Sequence, residues 1–293
     1  MKERIDISVI ILSYNTCDVT LQCLASLSKT TWGQIKKEII VVDNASNDET
    51  VDDIRKKFPD VHVIQNNKNI GFAAGNNVGI RQAKGKYILL LNSDTEIKPE
   101  TIGAMIAFMD AHPKAGASTC KLVLPGGSMD PACHRGFPTP WAAFTYMSGL
   151  ERLFSKTTLF GHYHLGYRPM SVPHEIDCPS GAFFLVRKEV IRTVGLLDEE
   201  FFMYGEDIDW AYRIKKQGWE IWFDPDASII HLKKQSGRAH VNRQTRMQSQ
   251  INFLTTMKLF YKKYYEKKYG FALTRLVYFG IWLKLLFFRI FGI

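Results

Sequence analysis

Several common signatures are missing from this 293-residue sequence. Its five cysteines are odd in number and scattered, and no pair has the spacing of a metal knuckle or a redox motif, which predicts free thiols in a reducing cytosol. There is no internal repeat and no low-complexity tract. The first apolar run is broken by Asp6 and lacks a small-residue cleavage site, so it predicts a strand rather than a signal peptide.

The excess of positive charge is concentrated near the C-terminus. The net charge is +9, and eight basic residues lie between Lys258 and Arg289 against the single acid Glu266. These cations alternate with aromatic and aliphatic residues, which favours anionic lipid over nucleic acid as the partner. Residues 271–293 are nearly long enough to span a bilayer, but Lys284 would be buried there at high cost. We expect an amphipathic helix in the membrane interface; packing on the rest of the protein or on a partner subunit is the alternative.

Apolar, β-branched runs alternate with helical spacing along the first part of the chain. The predicted strands are 7–12, 38–42, 61–64, 87–91, 182–187 and 221–223. The predicted helices are 19–27, 47–58, 75–83, 101–112, 188–194 and 206–217, followed by a basic helical tail beyond 248. This alternation predicts an α/β fold with a mostly parallel sheet. Residues 126–173, rich in Gly, Pro and aromatic residues, predict a long loop that is either functional or mobile.

Polar clusters follow three predicted strands. They are Ser13-Tyr14-Asn15, the segment beginning at Asp43, and Asn92-Ser93-Asp94. Each alone could be a turn or a helix cap, but ligands of parallel sheets bind at the carboxyl ends of the strands. Their joint occurrence therefore predicts a site, in which Asp43 accepts hydrogen bonds from a base or ribose. Asp94 could hold Mg²⁺ or Mn²⁺, which bind few protein carboxylates beside substrate phosphates.

Residues 69–79 form a glycine-rich segment. It is neither Gly-x-Gly-x-x-Gly nor a P-loop, so a dinucleotide or ATP site has little support. Its glycines could let the backbone approach a ligand, and the helix expected from Gly75 could direct N–H groups at an anion. A tight turn with a helix cap is the alternative.

The segment 201–213 gives the most specific indication of a functional site in the sequence. Glu206 and Asp207 open a predicted helix behind aromatic residues that could wall a partly dry pocket, where a carboxylate can act as a general base. The alternative is that both acids only complement the helix dipole. His231 ends a strand and precedes Lys233 and Arg238, so it could be a metal ligand beside a phosphate site or a structural histidine.

Taken together, these segments resemble the family 2 glycosyltransferases of the GT-A fold, and within them the rhamnosyltransferase-like members. The resemblance covers about residues 5–237. The segments that carry it, in the family's order, are 9–15, 41–46, 69–79, 89–95, 205–209 and His231. One departure is that Asn92 stands where the family's Asp-x-Asp motif begins, so metal binding depends on Asp94.

The resemblance implies a role for each matching residue. Asp207, with Glu206 beside it, would be the catalytic base, and Asp94 and His231 would contact a divalent cation. The donor would be bound by Ser13, Tyr14, Asn15, Asp43, Asn69, Gly71, Phe72, Asn76, Asn77, Arg81, Asn92, Ser93, Asp94, Lys233 and Arg238. The acceptor side would include Ser180, Gly181 and Trp210.

The resulting hypothesis is a metal-dependent, inverting glycosyltransferase. Residues 1–120 would bind the nucleotide-diphosphate sugar, 121–240 would form the acceptor and catalytic part, and 241–293 would attach the enzyme to the cytoplasmic face of a membrane. By resemblance the donor is dTDP-rhamnose, with a UDP-hexose or UDP-galactofuranose as the alternative, and the acceptor is a saccharide or lipid-linked precursor. The remaining alternatives are a nucleotidyltransferase, a non-catalytic nucleotide-sugar-binding module and a membrane scaffold. No nucleic-acid partner is expected.

Overall fold

A computed structural model of the protein describes residues 4–233 and 243–291. Its β-strands are β1 Ile7–Ser13, β2 Lys37–Asp43, β3 His62–Gln65, β4 Tyr87–Asn92, β5 Thr95–Ile97, β6 Ala115–Val123, β7 His174–Glu175, β8 Phe183–Arg187 and β9 Glu220–His231. Its α-helices are α1 Cys17–Ser28, α2 Thr50–Lys57, α3 Phe72–Gln82, α4 Thr101–Ala111, α5 Pro140–Met147, α6 Leu150–Leu153, α7 Lys188–Val194, α8 Glu206–Lys216, α9 Arg243–Tyr264 and α10 Phe271–Phe291.

All nine described strands belong to one sheet. Eight of them follow the order β3-β2-β1-β4-β8-β6-β9-β5. The ninth, β7, pairs with β9 and lies outside this linear order. The pairs β1–β2, β1–β4, β2–β3 and β6–β9 are parallel, and β8 is antiparallel to both β4 and β6. Six strands therefore run in one direction and only β5, β7 and β8 in the other. The predicted α/β class with a mostly parallel sheet is confirmed.

The strands at the centre of the sheet are buried on both faces, as their continuous apolar sequences require. Strand β8 is entirely buried, and β1 and β4 each have only one residue that is not. Helices α1 to α4 come from the first half of the chain, where short loops join each helix to the next strand. Because the strands between these helices run in one direction, the polar loops that follow them lie at the same edge of the sheet.

The sequence patterns missed strand β6. Its sequence Ala-Gly-Ala-Ser-Thr-Cys-Lys-Leu-Val has many small and polar residues, yet seven of its nine positions are buried between β8 and β9. Strand β9 is also longer than predicted, since it runs to His231. Helix α3 begins at Phe72 rather than near Gly75, and residues 126–173 contain the short helices α5 and α6.

The C-terminal segment is a helical hairpin, and its first helix packs on the catalytic region. Phe260 of α9 and Tyr265, which directly follows the helix, form an aromatic cluster with Phe201 and with Tyr212 of α8. The prediction of a basic tail needs correction for α10, whose 18-residue window Phe271–Phe288 is apolar, with a mean hydropathy of 1.6. By length and composition this helix could cross a membrane, and little of it is buried in the protein.

A glycine in α3 is required by packing rather than by a ligand. A Cβ atom at Gly79 would lie 2.6 Å from Cγ2 of the buried Ile10, whereas one at Gly103 in α4 would meet nothing closer than 3.9 Å. We predict that Gly79→Ala lowers the free energy of unfolding by about 1–3 kcal/mol through overpacking. The control Gly103→Ala should leave it unchanged or raise it by up to about 1 kcal/mol. Urea denaturation measures both, and equal effects would contradict this account of α3.

Candidate active site

A cleft of about 370 Å³ opens at the carboxyl edge of the sheet. Strands β1, β4 and β9 end there because they run in the same direction. Strand β8 runs the other way, so the turn that precedes it, Ser180–Ala182, reaches the same edge. We call this cavity the rim cleft.

Most of the predicted site residues line the rim cleft. They are Ser13, Tyr14, Asn69, Gly71, Phe72, Asn92, Ser93, Asp94, Ser180, Gly181, Glu206, Asp207, His231 and Lys233. Segments separated by more than 200 residues in sequence thus meet in one cavity, as the resemblance implies. Arg238 lies outside the described residues.

Other predicted residues hold the loops around the cleft. Asn15 joins the ends of β1 and β2, because its N–H donates to Oγ of Ser46 and its side chain accepts from the N–H of Asn47. Asp43, fully buried beside Ser13, accepts from the N–H of Ser46 through Oδ2, while Oδ1 has no hydrogen-bond partner in the described part of the chain. Such a buried, unpartnered carboxylate oxygen is costly unless a ligand satisfies it.

Four predicted residues do not reach the rim cleft. Asn76 donates to the carbonyl of Phe72 within α3. Asn77 bonds the backbone of Leu197 and the carboxylate of Glu199, to which Arg81 also donates at 2.8 Å. Trp210 is fully buried and donates to the carbonyl of Gly195, so it is a core residue that an acceptor could not touch. The helical spacing could not reveal that these side chains face away from the cleft.

Gly71 shapes the loop that enters α3. It has φ +89°, and a Cβ atom there would lie 2.6 Å from the carbonyl oxygen of Phe202. The N–H of Phe72 donates to that same carbonyl at 2.7 Å. This glycine therefore lets the donor-side loop approach the segment that precedes Glu206, and it does not mark a dinucleotide-binding turn.

His231 lies between two buried carboxylates. Its Nδ1 donates to Oδ2 of Asp130 at 2.9 Å, and its Nε2 is 3.4 Å from Oδ1 of Asp94. Lys233 donates to Oδ1 of Asp130 at 2.8 Å. Burial alone would lower the pKa of His231, but its bonds to Asp130 and Asp94 raise that pKa to about 9. Burial would raise the pKa of Asp130, yet the bonds from His231 and Lys233 hold it well below its usual range.

The possible metal ligands in the rim cleft fit a cation that is bound partly by the protein and partly by a substrate. Over residues 4–233 and 243–291, no group of three or more His, Cys, Asp or Glu side chains could hold a metal ion alone. Asp94 and His231 nevertheless present an oxygen and a nitrogen 3.4 Å apart in the cleft. Mg²⁺ in phosphate sites commonly takes one or two protein ligands and completes its shell with phosphate and water. Asp130 would fix the ring of His231 from behind, as outer-shell carboxylates do at metal sites.

Asp207 is held by a buried arginine from a distant part of the chain. Nη2 of Arg135 donates to Oδ2 of Asp207 at 2.6 Å and to the carbonyl of Pro179 at 2.6 Å. Arg135 is 9% exposed, and the side chain of Asp207 is 14% exposed. An ionised carboxylate can accept about four hydrogen bonds. Asp207 therefore keeps acceptor capacity toward the cleft while the arginine fixes its orientation.

Glu206, next to Asp207, has a different electrostatic environment. Burial, followed by the negative charge of Asp207, raises the pKa of Glu206 to about 8. Its Oε2 is buried with no hydrogen-bond partner among the residues that the structure describes. The raised pKa favours the protonated form of this carboxyl group at neutral pH. A pair of this kind is typical of catalytic sites.

Helix α9 completes the cleft. Phe253 lines it, and Oγ1 of Thr256 donates to the carbonyl of Met203 in the segment before Glu206. Farther along α9, Lys263 and Tyr264 bond Oδ1 of the fully buried Asp209 at 2.7 and 2.5 Å. The C-terminal hairpin thus supports the catalytic segment directly and is not a separate tail.

Two site residues were missed from the sequence. Asp130 was hidden because strand β6, which ends shortly before it, was not recognised. Arg135 contacts a residue 72 positions away, and no local pattern encodes such a pair. A charged residue inside an otherwise apolar, aromatic segment was the only available signal.

Comparison with known proteins decides the family. The model of "Glycosyl transferase family 2" matches residues 8–195, more than half of the chain. The chain belongs to glycosyl transferase family 2. It is therefore a glycosyltransferase that uses a nucleotide-sugar donor, and the nucleotidyltransferase and binding-module alternatives lose their basis.

Curated relatives agree with this assignment. The chain is 26% identical over 242 residues to the N-acetylglucosaminyl-diphospho-decaprenol L-rhamnosyltransferase of Mycobacterium tuberculosis, covering 78% of this chain and 76% of that protein. It is 27% identical over 232 residues to the low-salt glycan biosynthesis hexosyltransferase Agl10 of Haloferax volcanii, covering 77% and 67% respectively. The predicted rhamnosyltransferase-like membership of the family is confirmed.

Solved structures share the fold. The mannosyltransferase PcManGT of Pyrobaculum calidifontis, solved with GDP-Man and Mn²⁺, matches with a TM-score of 0.59 at 18% identity, over 87% of this chain and 65% of that one. TarS residues 1–349 of S. aureus match with a TM-score of 0.56 at 19% identity, over 96% and 79%. These likenesses confirm the GT-A fold.

The buried histidine makes the stability of the metal-free protein depend on pH. Because the pKa of His231 is raised from 6.5 to about 9, its stabilisation is fully present below pH 6.5 and is lost as pH rises through 9. We predict that His231→Gln removes about 3 kcal/mol of unfolding free energy at pH 6 and much less above pH 9. Urea denaturation in EDTA measures this, with the exposed His62→Gln as control. A pH-independent difference between parent and His231→Gln would contradict the assignment.

Proposed function

We propose that the protein is an inverting, metal-dependent glycosyltransferase that moves rhamnose from dTDP-rhamnose to a hydroxyl group of a lipid-linked saccharide. The observation that carries the proposal is the position of Asp207. This carboxylate, oriented by Arg135, lines the same cleft as Asp94 and His231. A base and an electrophilic site thus face one cavity that can hold both substrates.

The donor would bind along the ends of β1, β2 and β4. The unpartnered Oδ1 of buried Asp43 would accept a hydrogen bond from the N–H of the nucleobase, and Tyr14 is exposed beside it at the mouth of the cleft. Asn69 and Gly71 would flank the sugar diphosphate. Lys233, with Arg238 beyond it, would contribute positive charge next to the leaving group.

The metal would be held by Asp94 and His231 together with the diphosphate. A divalent cation there would neutralise negative charge on the leaving nucleoside diphosphate. Binding it requires the Nε2 of His231 to be free of its proton, because imidazole ligates in its neutral form. Asp130 and Lys233 would keep the ring in place when that proton leaves.

The chemistry would be a single displacement. Asp207 accepts the proton of the acceptor hydroxyl, whose oxygen forms a bond to the anomeric carbon. The bond from that carbon to the diphosphate oxygen breaks on the opposite face, so the configuration inverts and the nucleoside diphosphate leaves with the electron pair. Glu206, which carries its proton at neutral pH, adds no second negative charge beside the base.

The acceptor would enter past Ser180 and Gly181, which lie on the Asp207 side of the cleft. The name of the Mycobacterium tuberculosis relative specifies a polyprenyl-diphosphate acceptor and rhamnose, which supports this class of substrate. The hexosyltransferase name of the Haloferax volcanii relative supports the alternative donor, a UDP-hexose or UDP-galactofuranose. Both donors are compatible with one site because Asp43 would contact the base and not the sugar.

A membrane-bound acceptor suits the C-terminal hairpin. Helix α10 exposes Phe271, Leu276, Phe279, Trp282 and Ile290, which are large apolar residues that water does not favour. Their burial in the cytoplasmic leaflet would place the enzyme peripherally on the inner face of the membrane. Because α9 supports the catalytic segment, this attachment would hold the rim cleft close to the lipid surface.

Substitutions of the two adjacent acids test the mechanism. We predict that Asp207→Asn lowers kcat by about 10²–10⁴-fold, the usual contribution of a general base. Glu206→Gln should lower kcat at pH 7 by less than about tenfold, because the amide replaces a carboxyl group that is already neutral. The kcat of each variant is measured by the release of dTDP from dTDP-rhamnose and by sugar transfer to polyprenyl-diphosphate-linked N-acetylglucosamine. UDP-sugars are assayed in parallel as donors.

The control is Asp226→Asn, an exposed carboxylate on β9 outside the cleft, which should leave kcat unchanged. Thermal melting of each variant separates a folding defect from a catalytic one. Full transfer by Asp207→Asn would remove this residue from the mechanism. Transfer from UDP-sugars only would keep the mechanism and replace the donor.

A further inference from the structure

An exposed aromatic surface lies on the segment between β6 and β7, away from the C-terminal hairpin in sequence. It consists of Trp141, Phe144, Leu153, Phe154 and Leu159, with Phe160 partly buried beneath it. Trp141 contacts Phe144 and Phe160 at ring-centroid distances of 5.6 and 6.0 Å, and Phe154 contacts Phe160 at 5.3 Å. Nε1 of Trp141 donates to the carbonyl of Leu159. These contacts join Trp141, Phe144, Phe154 and Leu159, and Leu153 precedes Phe154 in the chain. We call these five residues the aromatic surface.

The exposure of this patch is unusual for side chains of its size. Trp141 is 45% exposed, Phe144 53%, Leu153 74%, Phe154 48% and Leu159 57%. Single exposed apolar residues are ordinary, but a contiguous group of this kind marks a binding surface. Trp and Phe beside cations are the composition found where proteins contact a bilayer interface.

The charges around the aromatic surface are positive. Arg152, Lys156 and Arg168 are all exposed. The only acid between residues 136 and 173 is Glu151, which is buried and paired with His164. The exposed charges of this segment are therefore all positive, and they complement an anionic partner.

We propose that the aromatic surface docks on an anionic lipid membrane, as a second contact independent of α10. The proposal rests on the proposed function for its purpose, which is to present a lipid-linked acceptor to the rim cleft. Phe144, Leu153 and Leu159 enter the interface, and Arg152 and Lys156 contact lipid phosphates. A bilayer is favoured over a protein partner because apolar and cationic groups are combined in one strip with no exposed acid.

The chain connects this surface directly to the catalytic base. Arg135, which holds Asp207, precedes α5 by only five residues, and Thr139 caps the helix by accepting from the N–H of Ala142. Between them Phe137 contacts Tyr212 of α8 at a ring-centroid distance of 5.1 Å. Tyr212 in turn contacts Tyr264 of α9 at 4.3 Å, so the segment that leads from Arg135 into α5 packs on the same aromatic cluster as the C-terminal hairpin.

Vesicle flotation of the full-length protein tests the proposal without donor or acceptor. The probes are vesicles of phosphatidylcholine alone and of phosphatidylcholine mixed with phosphatidylglycerol. We expect Phe144→Ser/Leu153→Ser/Leu159→Ser to weaken binding to both by at least about tenfold, since each buried apolar side chain contributes to partition. Arg152→Glu/Lys156→Glu should weaken binding to the anionic vesicles by at least about tenfold and leave the neutral ones little changed.

The matched control is Arg55→Glu/Lys56→Glu on α2, which makes the same change in charge on an exposed helix and should retain binding. Leu276→Ser/Phe279→Ser on α10 should leave residual binding, and combining these substitutions with the aromatic-surface substitutions in one protein should abolish it. Loss of all binding in the α10 variant alone, or parental binding by both aromatic-surface variants, would overturn the proposal. The proposal would also be overturned if the aromatic-surface variants bound vesicles like the parent but changed from oligomer to monomer in sedimentation velocity. The aromatic surface would then be an interface between copies of this chain. None of these results depends on transferase activity, which is assayed separately.

Discussion

The common direction of six strands is the constraint on which the rest of this structure depends. Because β1, β2, β4, β6 and β9 all end at one edge, each delivers its following loop to the same place. The antiparallel β8 begins there and adds Ser180 and Gly181. A nucleotide site, a metal site and an acceptor entrance can therefore be built from short loops without any loop crossing the sheet.

Buried charge is the second constraint, and it is met by pairs that join distant segments. Arg135 pairs with Asp207, Asp130 with His231, and Asp209 with Lys263 of α9. An unpaired charge at any of these positions would be strongly destabilising. The pairs consequently fix the loop between β6 and β7, the end of β9 and the C-terminal hairpin relative to the catalytic segment.

The sequence predicted well wherever a local pattern carries the information. Strands such as β1 and β4 are apolar runs that end in polar residues, so both the strand and its rim cluster could be recognised. Strand β6 could not, because its small residues are selected by packing between β8 and β9 and not by periodicity. Asn77, Arg81 and Trp210 have suitable chemistry at suitable positions along the chain, but the side on which they lie depends on tertiary packing. Arg135 acts across 72 residues, and only the folded chain shows its partner.

Titration calorimetry of dTDP with the purified protein tests the central claim most directly. The account predicts that Mg²⁺ or Mn²⁺ is required for tight binding, and that Asp94→Asn weakens binding in the presence of the cation by at least about tenfold while the fold is retained. Equal binding with the cation and with EDTA, unaffected by Asp94→Asn, would contradict a shared metal and diphosphate site in the rim cleft.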